Sequence, residues 1–65
     1  MNELTIRAEA VRVGDQIYDS GHYMPGTWVP VTKTEPATGN YITIVTANWS
    51  TIKHRYEGIA VRRGA

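Results

Sequence analysis

The chain has no cysteine, no phenylalanine and no strong excess of either charge. Without cysteine there is no disulfide staple, no thiolate zinc site and no thiol nucleophile. A formal net charge of +1 sets the chain apart from dedicated DNA-binding domains, which are strongly basic. No apolar run approaches the ~20 residues that a membrane-spanning helix needs. Met1-Asn2-Glu3-Leu4-Thr5-Ile6-Arg7 lacks the basic and apolar regions of a signal peptide, so the cytoplasm is the expected location. With 65 residues the expectation is one domain spanning 1–65. A domain of that size buries only about 60% of the surface its unfolded chain exposes, which makes its core marginal. The balance of 42% hydrophobic and 20% charged residues is that of a globular domain and not of a disordered tail.

The few charges are unevenly placed. Residues 1–50 carry Arg7, Arg12 and Lys33 against Glu3, Glu9, Asp15, Asp19 and Glu35, a net of −2. Residues 51–65 carry Lys53, Arg55, Arg62 and Arg63 against Glu57, a net of +3. Such a segment reads either as a solvated strand with a basic tail or as a small anion-binding edge.

Period-2 alternation and β-branched residues dominate, and no stretch of helical length shows a 3.6-residue apolar repeat. Turn residues recur at short spacing: Gly14-Asp15, Ser20-Gly21, Pro25-Gly26, Pro36 to Asn40, Asn48 to Ser50, and Gly58. Five or six short strands result, as in an all-β barrel or sandwich. They run through Leu4 and Ile6, Gln16 to Asp19, Thr27 to Thr34, Tyr41 to Ala47, Thr51 to Tyr56, and Ile59 to Arg62. Pro30 removes a ladder donor, so its strand is expected at an edge or with a bulge. A three-residue loop of Asn48, Trp49 and Ser50 would set Ile42, Ile44 and Thr46 against Tyr56, His54 and Ile52. The expected core is Ile6, Val11, Val13, Ile17, Val29, Val31, Ile42, Ile44, Ile52, Ile59 and Val61.

At Val11-Arg12-Val13-Gly14-Asp15-Gln16-Ile17 the sequence resembles the opening of many SH3-like barrels. The continuation Gly26-Thr27-Trp28-Val29-Pro30-Val31-Thr32-Lys33 and Tyr41-Ile42-Thr43-Ile44-Val45-Thr46 resembles the first half of Hint-type (Hedgehog/intein) modules. It is also similar to small SH3-like proteins encoded by phages of actinobacteria. The resemblance covers residues 9–63 and implies a small SH3-like barrel of five to six short, mostly antiparallel strands. It implies no chemistry. Autoprocessing Hint modules start with a Cys or Ser nucleophile and carry a Thr-x-x-His element. This chain starts at Met1-Asn2, and His22 and His54 are read as standing outside such an element, so self-splicing is rejected. KOW-type barrels share the Gly-Asp opening and contact RNA, which supports a nucleic-acid alternative.

Candidate chemistry is sparse. Asp15 and Asp19 read as turn residues. Ser20, His22 and Asp19 are adjacent in sequence, which does not establish triad geometry. Two histidines without paired spacing define no metal site, no cofactor is expected, and the chain is not read as an enzyme. The aromatics carry more information. Trp49, at a hairpin tip, either folds back over the barrel end or projects as an interface anchor, because Trp, Tyr and Arg are enriched among hot-spot residues. Trp28 stands beside the loop bearing His22, Tyr23 and Met24. His22, Tyr23, Met24, Trp28 and Trp49 are therefore the candidate protein-binding residues. Lys53, Arg55, Arg62 and Arg63 are the candidate nucleic-acid contacts, with phosphate pairing beside aromatic stacking. The expected function is a non-enzymatic binding module for a protein partner, such as a phage accessory factor acting on a host protein. A nucleic-acid-binding barrel is the alternative, and a homo-oligomer is a third reading.

Overall fold

Six antiparallel strands in one sheet make up nearly all of the ordered structure in a computed structural model, which describes residues 2–19 and 26–64. They are β1 (Asn2–Arg7), β2 (Gln16–Asp19), β3 (Thr27–Pro36), β4 (Tyr41–Thr46), β5 (Ser50–His54) and β6 (Gly58–Arg63). Their spatial order is β1-β6-β2-β3-β4-β5. The fold is therefore the small all-β, barrel-like one that alternation and turn spacing predict. A single 3₁₀ turn, Ala8–Ala10, follows β1. Here Ala8 N–H donates to the Glu57 carbonyl (2.9 Å) and Glu9 N–H to the Arg55 carbonyl (3.1 Å). These bonds bring the chain after β1 against the turn after β5.

β3 bends the sheet. Its first half, Thr27 to Pro30, pairs with β2, and its second half, from Val31, pairs with β4. The register shifts between Val31 and Lys33, leaving Thr32 as the extra residue of a bulge. Pro30 lacks an N–H and sits at the point where β3 changes partner. Bulges bend a strand and increase its twist, so a central ten-residue strand serves both halves of the barrel.

The core is Ala8, Val11, Ile17, Val29, Val31, Ile44 and Val61, with Ile6, Ile42, Trp49 and Ile59 packed partly against it. Two predicted core residues are outside it: Val13 is 65% and Ile52 is 62% exposed. Val13 lies in no strand, and Gly14 beside it adopts φ +96°, so period-2 alternation does not extend through this turn. Ile52 is displaced by hairpin register. The expected loop of Asn48, Trp49 and Ser50 is displaced toward β4: Thr46 N–H bonds to the Trp49 carbonyl across the turn, and Val45 pairs with Ser50. Ile42 then faces Lys53 and Ile44 faces Thr51, while Ile52 pairs with Thr43 and His54 with Tyr41. An odd shift of register sends every β5 side chain to the other face.

Thr46 explains the shift. Its buried hydroxyl donates to the Trp49 carbonyl (2.9 Å) and accepts from Trp49 N–H (3.2 Å). Thr46 N–H also donates to the Trp49 carbonyl (2.8 Å). The loop turns Trp49 back onto the core. A Trp buries about 150–250 Å², more than the Ile52 side chain that this register leaves exposed.

Replacing Ile44 by Val is expected to cost about 0.5–1.5 kcal/mol, lowering Tm by about 4–8 °C per kcal/mol in a domain this small. Ile52→Thr is expected to stay within about 0.5 kcal/mol of the parent. Thermal denaturation followed by circular dichroism compares the two; equal losses would return Ile52 to the core.

Candidate interaction surface

Register decides which side chains the β4–β5 hairpin offers to solvent. Tyr41 and His54 are directly opposite on the outer face, with ring centroids 5.5 Å apart in an edge-to-face arrangement. The His54 ring lies 5.5 Å from that of Tyr56, and His54 Nδ1 accepts the Tyr56 N–H (3.2 Å). That bond leaves the neutral imidazole's proton on Nε2. Ile52 stands on the same face, beside a shallow hollow of about 260 Å³ formed with Ala37, Thr38 and Tyr41. Tyr41, Ile52 and Tyr56 are about half exposed or more.

The far end of this face is ordered by charge. The guanidinium groups of Arg7 and Arg55 lie 5.1 and 5.3 Å from the Tyr56 ring centroid. Both arginines also reach Glu9, at 3.7 and 3.0 Å. The Glu9 hydrogen bond, and then the neighbouring Tyr56, holds Arg55 more firmly in its charged form. A fixed aromatic side chain with part of its surface open has the properties of an interface anchor: large contact area at small cost in side-chain entropy.

The candidate protein-binding residues predicted from sequence are dispersed. Trp49 is half-buried on the core and is not a projecting anchor. Trp28 is half-buried on another part of the sheet, packed edge-to-face on Tyr18 at 5.5 Å. The Arg62 guanidinium covers its ring at 4.3 Å. His22, Tyr23 and Met24 lie outside the described residues. The aromatic face of Tyr41, Ile52, His54 and Tyr56 was missed, because the expected register placed Ile52, His54 and Tyr56 inward.

The four candidate nucleic-acid residues are split between Lys53 and Arg55 on β5 and its following turn and Arg62 and Arg63 on β6, two strands that are not paired in the sheet. Each is matched by a carboxylate: Lys53 by Glu57 (3.4 Å), Arg55 by Glu9 (3.0 Å), Arg62 by Glu3 (3.8 Å) and Arg63 by Asp15 (2.8 Å). The first three pairs are solvent-exposed and contribute little to stability. Their effect is to neutralise the positive charge carried by residues 51–65.

Asp15 is buried. Its two oxygens accept Arg63 Nε and Nη2, both at 2.8 Å, and Oδ2 also accepts the Arg12 N–H (2.9 Å). These bonds, the one from Arg63 foremost, hold its carboxyl below the ordinary aspartate range against the opposing effect of burial. A carboxylate occupied in this way serves the fold and is not free for acid–base chemistry.

Contrary to the sequence-based expectation, Thr51-Ile52-Lys53-His54 does have Thr-x-x-His spacing. On a strand, residues three apart point to opposite faces. Thr51 lines the inner cleft between β5 and β6, whereas His54 packs edge-to-face with Tyr41 on the outer face, so the two do not converge on one peptide bond. Among the described residues no group of three or more His, Asp or Glu side chains could hold a metal ion. No helix among them is long and apolar enough to cross a membrane. Compared with known protein families, curated proteins and solved structures, the chain has no significant match in any of the three.

The folded-state pKa of Asp15 is depressed, so its stabilising contribution is complete above the unfolded value near 4 and is lost as pH falls below it. Asp15→Asn is expected to cost about 1–3 kcal/mol at neutral pH and to flatten the fall of Tm with acid. Parallel melts of the two proteins between pH 7 and pH 3, taken as an order-of-magnitude window, measure this. Parallel acid profiles would remove Asp15 from the account of acid stability.

Proposed function

We propose that the chain is a non-enzymatic binding module for a protein partner, engaged through the exposed face of Tyr41, Ile52, His54 and Tyr56. The carrying observation is the combination on this face of closely packed edge-to-face and tilted rings with large exposed apolar area. Scattered exposed apolar residues need no explanation, but a contiguous group marks an interaction site. The sequence resemblance to small SH3-like and Hint-like proteins of actinobacterial phages agrees with this role. It extends the proposal to an accessory protein that acts on a host protein in the host cytoplasm.

The nucleic-acid alternative is disfavoured by the four carboxylate pairs on Lys53, Arg55, Arg62 and Arg63. Phosphate contacts would have to displace those carboxylates, and affinity from so few contacts falls steeply with salt. An aromatic-anchored protein interface is far less sensitive to salt.

The test is capture of a partner from host lysate at moderate salt, with and without nuclease, using the parent chain and Tyr56→Ala. The parent is expected to retain a discrete protein after nuclease treatment. Tyr56→Ala is expected to weaken that binding about 30-fold, the cost of about 2 kcal/mol at a hot spot. Its melting temperature should change little. Binding that vanishes with nuclease, or survives Tyr56→Ala undiminished, would overturn the proposal.

A further inference from the structure

The β4–β5 ladder fixes which backbone groups of β5 point away from the sheet. At one end of the hairpin Thr46 N–H donates to the Trp49 carbonyl (2.8 Å), and at the other Arg55 N–H donates to the Asn40 carbonyl (2.7 Å). Bonded and non-bonded pairs alternate in an antiparallel ladder. Ile44↔Thr51 and Ile42↔Lys53 are therefore the bonded pairs between those ends. Ser50, Ile52 and His54 belong to the non-bonded pairs, and their backbone groups face away from β4. β5 pairs with no other strand among the described residues. The His54 carbonyl accepts Glu57 N–H (2.9 Å); the N–H groups of Ser50, Ile52 and His54 and the carbonyls of Ser50 and Ile52 form an open edge.

The opposite edge of the sheet differs in charge. In β1 the bond from Ala8 N–H to the Glu57 carbonyl sets the same alternation against β6, so Glu3, Thr5 and Arg7 face outward. Charged residues on an edge strand oppose its pairing with another edge. β1 carries two such residues. The outward positions of β5 carry no formal charge, and its one cation, Lys53, is matched by Glu57 at 3.4 Å.

We propose that two copies of this chain join edge to edge through β5, antiparallel about a two-fold axis at Ile52. The edge is its own complement. Ile52 N–H and carbonyl would each bond to Ile52 of the second copy, with Ser50 opposite His54 on either side. Lys53 falls opposite Thr51 of the second copy, so no like charges face each other directly. The Ile52 side chain, 62% exposed in the single chain, meets its counterpart across the axis, which supplies the apolar contact. A standard interface buries about 800 Å² per partner, roughly a fifth of the 4175 Å² that this chain exposes. A five-residue edge covers less, so the dimer is weak and forms with rising concentration. This pairing goes beyond the partner-binding role and shares only Ile52 and His54 with it.

The test is sedimentation of the purified full chain from about 10 μM to about 1 mM, a range that brackets a weak association. The weight-average mass is expected to rise toward twice the monomer value. Amide exchange at Ile52 should slow with concentration. Ile52→Pro removes an N–H that faces away from β4, a position where an edge strand tolerates proline. It is expected to raise the dimer Kd at least tenfold. Ile52→Lys places a charge on the same edge without touching the backbone and is expected to do likewise, which keeps the test valid if the proline variant unfolds. A chain that stays monomeric at the highest concentration, a dimer indifferent to both substitutions, or an Ile52 amide protected only by a foreign protein would each overturn the proposal. Tyr56→Ala is expected to leave the dimer intact, so failure of partner binding and failure of self-pairing remain distinguishable.

Discussion

Asp15, through its carboxylate and its backbone carbonyl, joins its own turn to the end of β6 and the middle of β3. It accepts the Arg12 N–H and both Arg63 donors, tying the turn before β2 to the end of β6. The residue's own carbonyl accepts Val31 N–H (2.8 Å), and Gly14 N–H donates to the Val31 carbonyl (3.0 Å). Val31 is where β3 leaves β2 for β4. One buried residue thus anchors the bend that lets a single sheet curl into a barrel-like form. Removing one partner from a buried, hydrogen-bonded ion pair costs more than the pair contributes net, because the remaining charge is left uncompensated.

A second constraint acts at the other end of the molecule. The Thr46 hydroxyl closes the β4–β5 loop over Trp49, and the indole joins the core. Since neighbouring strand residues point to opposite faces, that choice sends Ile52 and His54 outward together. The exposed aromatic face and the open neutral edge are consequences of the same register. Stability from burying Trp49 and availability of a surface for association are therefore linked through one hairpin.

Electrostatics follows the same logic of placement. Residues 51–65 are basic in sequence, yet the fold brings Glu3, Glu9 and Asp15 from the other end of the chain to Arg62, Arg55 and Arg63. Charge asymmetry along a chain is not asymmetry over a surface when β1 and the turn before β2 lie beside β6. Arg62 also covers Trp28, so a cation and an aromatic predicted to serve two different ligands are occupied with each other.

Much of the architecture was legible from local rules. Alternation and turn residues located all six strands, and Val11, Ile17, Val29, Val31, Ile44 and Val61 are buried as expected. Pro30 correctly marked an irregular strand, with the bulge falling at Thr32. The exposed aromatic face was not legible, because it depends on register across the β4–β5 turn, where Val45 pairs with Ser50 and not Ala47 with Thr51. Local propensity cannot choose between these registers; the one adopted packs Trp49 partly against the core and leaves Ile52 exposed. The burial of Ala8 and Asp15 likewise depends on partners some fifty residues away in the chain. By itself the sequence determined an all-β chain of short strands, since period and turn chemistry act between near neighbours. Register, charge pairing and the identity of the exposed face were decided only in the tertiary structure, where distant segments compete for the same contacts.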